Sequence, residues 1–383
     1  MTTSPERCLG TLLKDLDEED SPRDYYSKDE TAYKTSTEQK LSLDSVYSFH
    51  SSSIHMPFHL EKFDFQLNYS KDVILSFFQN QKDTIQLQKC LINSSQEERD
   101  YIIKELSGTF NQIIKNQNGN YFFTDLYIKC DNKQRIKILM ELKDTICDDC
   151  KNEFGTHPIQ KIIENSKSEE EYKLILSSFK NADKILSASL DLNGSYVIQK
   201  IFVCIPEIYR MEFNINYLKF LIKLSMSKYG VCTAKKYIEK TESKAILKQI
   251  SDIIVPNFFI ISGNQYGNYL AQFILEFWWN KNEGIPIKKL CIHHFETLAK
   301  KHYSSYICDL LIKLMKFEEK KGLYNKLKKE KCLERLNHHD IGKIIVNKLS
   351  NAIKKEKNIK KKNIPFSTTK PPESKIEEEE KNY

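Results

Sequence analysis

Residues that break helices are scarce in this sequence, with 11 glycines and 10 prolines among 383 residues. Together with an apolar content of 40% and many Leu, Ile and Lys, this scarcity favours an all-helical protein. The first ten residues have no apolar stretch, so no secretory signal is expected there. The longest apolar run, Ile253–Ile261, contains a proline and an asparagine and is too short to span a bilayer. No association with a membrane is therefore expected.

Signatures of catalysis and of metal binding are also missing. The sequence has no P-loop and no recognisable Ser or Cys triad motif. Cys147 and Cys150 form a CxxC, but no second pair stands at zinc-ligand spacing, and reduced thiols are expected. The pairs His293–His294 and His338–His339 have no spaced carboxylate, and adjacent histidines on a helix point to different faces. We expect neither an enzyme nor a metal or other cofactor.

Charge is unevenly distributed along the chain. The net charge is +7, and residues 1–50 hold 6 basic and 11 acidic side chains, or −5, so the remainder carries +12. A basic body suits a polyanionic partner such as nucleic acid. A solvated, Lys-rich helix surface accounts for the same charge equally well.

One pattern recurs along the chain: a polar lead, a glycine, a small or polar residue, a ring, two apolar residues and a polar one. The clear copies are Asn116–Leu126, Asn152–Ile162, Asp191–Ile201, Ser227–Tyr237 and Asn264–Ile274. Their glycines are 36, 39, 36 and 37 residues apart, at Gly119, Gly155, Gly194, Gly230 and Gly267. A near-constant period of this length is typical of a helical solenoid.

The same period predicts weaker copies at both ends, where solenoid repeats are often atypical. They place Ser304 and Gly342 downstream and Asp83 upstream, which makes eight units in all. The segments between the copies have helical periodicity, for example Ser168–Leu186, so each unit is predicted to contain two or three short helices. The glycine opens the middle helix, and an Asn or Asp three residues earlier fits the preceding loop. Pro158 is compatible only with the first turn of its helix.

The repeated motif, of the type GNYxxQ, resembles that of the Pumilio (PUF) family over roughly residues 80–349. The resemblance implies an all-α fold: an α-solenoid of eight stacked three-helix repeats that forms a right-handed crescent. The expected domains are an acidic, Ser/Thr-rich disordered tail (1–55), the repeat domain with flanking caps (56–355) and a flexible charged tail (356–383). A half-repeat cap is expected over His55–Lys71.

The first and fifth residues after each glycine position are four apart, so they project from the same helical face. The resemblance implies that this pair meets the edge of one RNA base and that the second residue stacks between bases. The implied base-edge pairs, from unit one to unit eight, are Thr84 and Gln88, Asn120 and Thr124, Thr156 and Gln160, Ser195 and Gln199, Val231 and Lys235, Asn268 and Gln272, Ser305 and Asp309, and Lys343 and Asn347. The implied stacking residues are Tyr121, His157, Tyr196, Tyr269 and Tyr306.

The resemblance also implies base identities. Asn with Gln in unit six implies uracil, and a small residue with Gln in unit four implies adenine, with a purine or a relaxed site in unit three. In unit seven, Ser305 with Asp309 resembles the family's Ser–Glu guanine pair, with a side chain that is one methylene shorter. In unit two, Thr124 stands where the family has Gln. In unit five, Lys235 is suited to contact a phosphate of the RNA instead of a base edge. Because family RNA runs antiparallel to the protein, the implied target is close to N-G-U-N-A-A-U-A.

The resemblance implies a cytoplasmic monomer that binds UGU-containing elements in the 3′ untranslated regions of messenger RNA. Repression or decay would follow through recruited repressor or deadenylase proteins. One alternative is a divergent nuclear or nucleolar PUF-like protein that binds structured RNA in ribosome biogenesis. Another is a protein-binding scaffold of the armadillo or HEAT kind, although those repeats are longer, roughly 40–47 residues.

Overall fold

The computed structural model describes residues 69–362, and within this range every regular element is a helix. The all-α prediction is confirmed. The predicted tail 1–55, nearly all of the cap His55–Lys71, and residues 363–383 lie outside the described residues. In chain order, the helices are α1 Lys71–Phe77, α2 Gln81–Ile92, α3 Gln96–Glu105, α4 Phe110–Ile113, α5 Gly119–Lys129, α6 Asn132–Leu142, α7 Ile146–Asp149, α8 Thr156–Asn165, α9 Glu169–Ser177, α10 Ala182–Leu190, α11 Gly194–Cys204, a 3-10 turn Glu207–Tyr209, α12 Met211–Leu218, α13 Leu221–Ser225, α14 Gly230–Glu239, α15 Lys244–Gly263, α16 Gly267–Phe277, α17 Gly284–His293, α18 Phe295–Ala299, α19 Ser305–Leu314, α20 Phe317–Lys329, α21 Cys332–Asn337 and α22 Asp340–Lys362.

Each of the eight predicted motif segments forms a helix that begins within two residues of its glycine position. These helices pack side by side, each against the next, and together form what we call the recognition row: α2, α5, α8, α11, α14, α16, α19 and α22. The remaining helices lie between them in sequence and pack behind the row. Buried apolar side chains form one continuous core from Ile74 to Leu349. The predicted stacking of helical units is therefore present in the structure.

The recurring glycine is explained by a close approach between helices. A Cβ on Gly267 would lie 2.3 Å from the carbonyl oxygen of Ile261, the residue six positions earlier. No side chain fits in that space without displacing the backbone. In unit seven Ser304 occupies the equivalent position, and its hydroxyl donates to the carbonyl of Leu298, again six residues earlier, at 2.9 Å. Glycine and serine thus satisfy the same contact in different ways.

The polar residue three positions before the glycine caps the helix that follows. In unit six, the side-chain oxygen of Asn264 accepts from the backbone N–H groups of Tyr266 and Gly267, at 2.9 and 3.0 Å. Backbone donors at the start of a helix have no partner within the helix, so these bonds stabilise its first turn. Asn116, Asn152 and Asp191 make the same pair of bonds in units two to four. The predicted loop is confirmed, as is the place of Pro158 in the first turn of α8.

The number of helices behind the row differs from unit to unit. Ser168–Leu186 is not a single helix, because the chain breaks between α9 and α10, where Asn181 accepts from the N–H of Asp183 at 2.8 Å. The apolar run Ile253–Ile261 lies within a continuous 20-residue helix, α15, although other units have two helices in its place. Pro256 is on the exposed side of α15, where water can replace its missing donor.

Helix α15 is, among the described residues, the one helix long and apolar enough to cross a membrane by length and composition alone. One face of it is built into the repeat core, through residues Ile246, Ile250, Ile254, Phe258 and Ile261. It packs against α13, α16 and α17. The apolar run Ile253–Ile261 is too short to span a bilayer, whereas the whole 20-residue helix is long enough.

The last helix extends past the predicted end of the repeat domain. Helix α22 runs to Lys362, so the expected boundary at residue 355 divides a helix. Lys320, which is buried in α20, forms an ion pair with Glu356 beyond that boundary. The basic residues after Lys354 therefore begin as part of α22 and its packing.

The cysteines singled out by the sequence are buried, whereas His293 and His294 are exposed. Cys147 and Cys150 are buried, and burial raises the pKa of the Cys147 thiol to about 11. The rings of His293 and His294 do not point to separate faces: they meet edge to face with centroids 4.5 Å apart, because α17 ends at His293. No group of His, Cys, Asp or Glu in residues 69–362 is arranged to hold a metal ion.

Neighbouring units are joined by a buried ion pair. Arg135 of α6 donates to the carboxylate of Glu171 of α9 at 2.6 Å, and the Glu171 side chain is fully buried. Burial alone would raise the pKa of Glu171, but bonds from Arg135 and from the Lys167 and Ser168 N–H groups outweigh it and lower this pKa below its ordinary value near 4.5. The carboxylate is thus held in its charged form.

The Glu171 interaction predicts a pH-dependent stability difference. A carboxyl with a lowered folded-state pKa contributes stability above its unfolded-state pKa and loses it as pH falls through the folded value. We expect Glu171→Gln to lower the free energy of unfolding by about 1–2 kcal/mol at pH 7. The difference from wild type should shrink between pH 5 and pH 3, as measured by urea titration at each pH. A difference that is constant with pH would contradict this assignment.

Candidate RNA interface

The first residue after the glycine is buried in units one to seven, and in units one, two, four, six and seven its side chain donates to carbonyls of the segment before it. In unit six, the side-chain N–H₂ of Asn268 donates to the carbonyls of Asn264 and Gln265, at 3.1 and 2.8 Å. Asn120 in unit two makes the equivalent bonds, at 2.9 and 2.8 Å. These bonds occupy the amide donors and fix the orientation of each side chain, so its oxygen faces away from the backbone.

The first and fifth residues are brought together in two units. Gln272 donates to the side-chain oxygen of Asn268 at 3.0 Å, and Gln160 donates to the hydroxyl of Thr156 at 3.2 Å. In unit four, Gln199 donates to the main-chain carbonyl of Ser195 at 3.2 Å. The same turn of helix therefore presents both side chains, as the four-residue spacing requires. Their role in meeting a base stays a prediction.

The second residue after the glycine carries a ring on the surface of the row in units two, three, four, six and seven. Tyr121 and Tyr269 have 57% and 59% of their surface exposed, and Tyr196 has 39%. Tyr306 and His157 are half-buried, and the centroids of His157 and Tyr121 in adjacent units are 6.2 Å apart. Exposed rings of this size contribute nothing to the core, whereas their flat faces suit the stacking of bases.

His157 is an uncharged ring at neutral pH. Burial lowers the pKa of its imidazole below the ordinary value near 6.5, and Lys161 nearby lowers it further. A neutral imidazole presents an aromatic face much as a tyrosine does. The third unit therefore continues the series of rings without adding a positive charge to it.

Units one, two and five depart from the pattern. In unit one, the hydroxyl of Thr84 donates to Phe77 and Asn80 carbonyls, both at 2.9 Å. In unit two, Thr124 donates to the Asn120 carbonyl at 2.8 Å, which uses its one donor within the helix. In unit five, Val231 is buried and offers no polar atom.

Units seven and eight complete the row. The Ser305 hydroxyl donates to the carbonyl of His302 at 2.7 Å, and the Asp309 carboxylate is paired with lysines. Lys343 and Asn347 of unit eight are exposed, with Ile344 between them at the ring position. The row thus presents a ring beside a polar pair most completely in units three, four, six and seven.

One set of contacts was not anticipated from the sequence. The residue directly after the fifth position touches the fifth residue of the preceding unit: Gln88 donates to Asp125 at 2.6 Å. The ammonium of Lys235 lies 5.4 Å from the ring centroid of Phe273. In the sequence, such pairs appear as two residues of complementary chemistry that lie about one repeat apart. They can be recognised only after the units have been aligned with one another.

Lysines occupy this sixth position in five units, at Lys89, Lys161, Lys200, Lys236 and Lys348. Several of them are not available as simple phosphate contacts. Lys161 and Lys200 both pair with Glu164, and Lys236 pairs with Glu239 at 2.8 Å. The positive charge of the row is therefore partly neutralised by carboxylates on the same surface, which weakens a purely electrostatic account of binding.

The architecture and the row define a solenoid of helical repeats that presents aromatic rings and polar pairs at one repeated position. The family model described as "Pumilio-family RNA binding repeat" matches four segments of the chain, residues 87–107, 150–177, 184–212 and 257–278. In these segments the chain carries repeats of the Pumilio (PUF) type. Since the family model matches four segments, the count of eight repeats stays a prediction.

Curated relatives match with low identity. A Pumilio domain-containing protein of Schizosaccharomyces pombe is 24% identical over 273 residues, which is 70% of this chain and 39% of the relative. The suppressor protein MPT5 of Saccharomyces cerevisiae is 28% identical over 200 residues, 50% of this chain and 23% of the relative. Pumilio homolog 12 of Arabidopsis thaliana is 24% identical over 50% of this chain and 32% of its own length. This chain thus spans less than half the length of these relatives.

Solved structures share the fold. The Puf4 RNA-binding domain, bound to a recognition sequence in the 3′ UTR of HO endonuclease RNA, has a TM-score of 0.63 and 19% identity, covering 76% of this chain and 95% of that one. The RNA-binding domain of yeast Puf5p, bound to SMX2 RNA, has a TM-score of 0.62 and 20% identity, covering 79% and 93%. The predicted α-solenoid of PUF repeats is confirmed by this agreement.

Proposed function

We propose that this protein binds single-stranded RNA in a sequence-specific way, with one base facing each unit of the recognition row. The observation that carries the proposal is the repeated placement of an exposed ring next to a paired polar side chain, best seen at Tyr269 with Asn268 and Gln272. Rings provide affinity for any base, whereas polar pairs distinguish one base edge from another. Binding alone, without chemistry, accounts for these features.

The comparison structures support RNA as the ligand, because Puf4 and Puf5p hold RNA on domains of the same fold. A protein-binding helical scaffold has no use for a ring at one fixed position in successive units. Recognition of folded RNA by charge is disfavoured by the ion pairs that neutralise Lys161, Lys200 and Lys236. Intact pairs in units three, four and six favour reading of a linear base sequence.

The proposed target is N-G-U-N-A-A-U-A, read antiparallel to the chain, with guanine at unit seven and uracil at unit six. Units one, two, five and eight contribute less selectivity, because their polar groups are absent, committed to the backbone or unaccompanied by a ring. The proposed setting is the cytoplasm, where the chain acts as a monomer on 3′ untranslated regions of messenger RNA. Repression or decay through recruited proteins is part of this proposal, and its support is the 3′ UTR RNA held by Puf4.

Selection from a random pool of single-stranded RNA, with the full chain at physiological salt, tests the function directly. We expect enrichment of a short linear motif that contains G-U followed by A-rich positions. A variant with Tyr121, Tyr196 and Tyr269 replaced by alanine is the control, and it should lose most of the enrichment while keeping its helical content. Recovery of no motif, or of folded RNAs only, would overturn base-by-base recognition and leave the solenoid assignment intact.

A further inference from the structure

The fifth residue of one unit meets the sixth residue of the next at three places along the row. An amide bonds to a carboxylate between Gln88 and Asp125, a cation lies over a ring between Lys235 and Phe273, and an ion pair joins Asp309 and Lys348. The chemistry differs in each case, but the positions are the same. The contact is therefore a property of how adjacent recognition helices pack, and at these three junctions it places a second side chain beside the fifth residue.

At unit seven this second side chain is charged. The Lys348 ammonium lies 3.2 Å from one oxygen of Asp309, and the Lys313 ammonium lies 3.2 Å from the other. Asp309 is mostly buried, with 16% of its side chain exposed, whereas Lys348 is about half exposed. A carboxylate has about four sites that accept a hydrogen bond, so about two remain open on Asp309. An ammonium has three donors, so Lys348 also has donors to spare.

Guanine is the base whose pairing edge complements this arrangement. Its N1–H and N2–H₂ groups donate side by side, and its O6, next to N1, accepts. We propose that Lys348 is a specificity-determining residue of unit seven, an inference that rests on the proposed RNA binding. Asp309 accepts from N1–H and N2–H₂ of guanine, while Lys348 donates to O6. The neighbouring unit thereby supplies the third hydrogen bond. Adenine offers no acceptor in place of O6 and no N1 donor, so it satisfies neither group.

Lys313 cannot fill the same role, although it contacts the same carboxylate. It lies on α19 four residues after Asp309, which is one helical turn farther from Ser305, the first-position residue. A base edge that meets the first and fifth positions lies on the other side of Asp309. Lys313 is also more exposed than Lys348, with 68% of its side chain accessible, so water can replace it.

The test compares Lys348→Met with Lys313→Met in the full chain. Both changes keep a long, unbranched side chain, remove one charge and break one ion pair to Asp309. Dissociation constants are measured by fluorescence anisotropy for four RNAs, U-X-U-U-A-A-U-A with X as each base. We expect wild type to prefer guanine, Lys348→Met to reduce that preference about tenfold, and Lys348→Arg to retain most of it. Lys313→Met should weaken all four RNAs by a similar factor.

The outcomes separate this inference from the function on which it rests. Equal weakening of all four RNAs by Lys348→Met would overturn it, since the lysine would then act only on phosphate charge. A wild-type chain that selects uracil at unit six but no guanine at unit seven would also overturn it, while the proposed function stands. A wild-type chain that selects no linear RNA would overturn the proposed function first.

Discussion

Replacement of Gly267 by alanine is expected to lower the free energy of unfolding by about 2–3 kcal/mol, because the added methyl has no space. Its Cβ would lie 2.3 Å from the carbonyl oxygen of Ile261 and within 3.2 Å of that residue's Cα. Both are main-chain atoms, which cannot rotate away as a side-chain end can. Relief requires α16 to move from the end of α15, against which it packs.

The matched control is Gly322→Ala in α20. Gly322 also lies in a helix, but a Cβ there meets nothing within 4 Å. Alanine in an open helical position stabilises by about 0.5–1 kcal/mol relative to glycine. Urea titrations followed by circular dichroism should therefore move the two midpoints in opposite directions. If both variants shift the same way, intrinsic helix propensity decides the outcome and the close contact does not.

The double change Asn268→Ala with Gln272→Ala is expected to abolish base selectivity at one position of the RNA. In unit six, Gln272 donates to Asn268, so the two amides form one joined group that can donate to and accept from uracil. Loss of a paired contact of this kind costs about 1–3 kcal/mol of discrimination, roughly 5- to 150-fold in relative affinity. Discrimination at units four and seven should remain.

Asn120→Ala in unit two is the control for structural damage. Asn120 makes the same two bonds to the preceding loop as Asn268 does, so both changes remove equivalent support from the start of a helix. Binding of RNAs that differ only opposite unit six should distinguish the two variants, because Asn120→Ala keeps the preference for uracil. Weakening of every RNA by the same factor in the double variant would indicate that charge, and not the amide pair, holds the RNA.

Most of the fold could be predicted from the spacing of the repeated motif. Ser304 was placed at a glycine position by spacing alone, and the structure shows it making contact with the carbonyl that a glycine approaches elsewhere. Helix breaks behind the row were harder to predict, since apolar periodicity continues across the break between α9 and α10, where Asn181 caps the start of α10. In α15 the same stretch of a unit stays helical despite Pro256. Periodicity reports which face is buried and does not report where capping interrupts a helix.

The site was predictable only within each unit. A spacing of four residues predicts that Asn268 and Gln272 share a face, and they do. The partner of Asp309 was not predictable in this way, because Lys348 lies in the next unit and the contact depends on how two helices are offset along the row. The pattern within one repeat contains no information on that offset. The same reason explains why Asp125 was missed as the partner of Gln88.

The constant step between carbonyl and glycine has a consequence for how such chains vary in length. Successive units differ in size by up to three residues. In units two to six and unit eight, six positions nevertheless separate the glycine from the residue whose carbonyl it approaches, and the same step leads from Leu298 to Ser304 in unit seven. An insertion between the carbonyl residue and the glycine would move two helices out of contact, whereas an insertion in the connections behind the row would not. We therefore expect alignments of related chains to place their gaps in the connections behind the row.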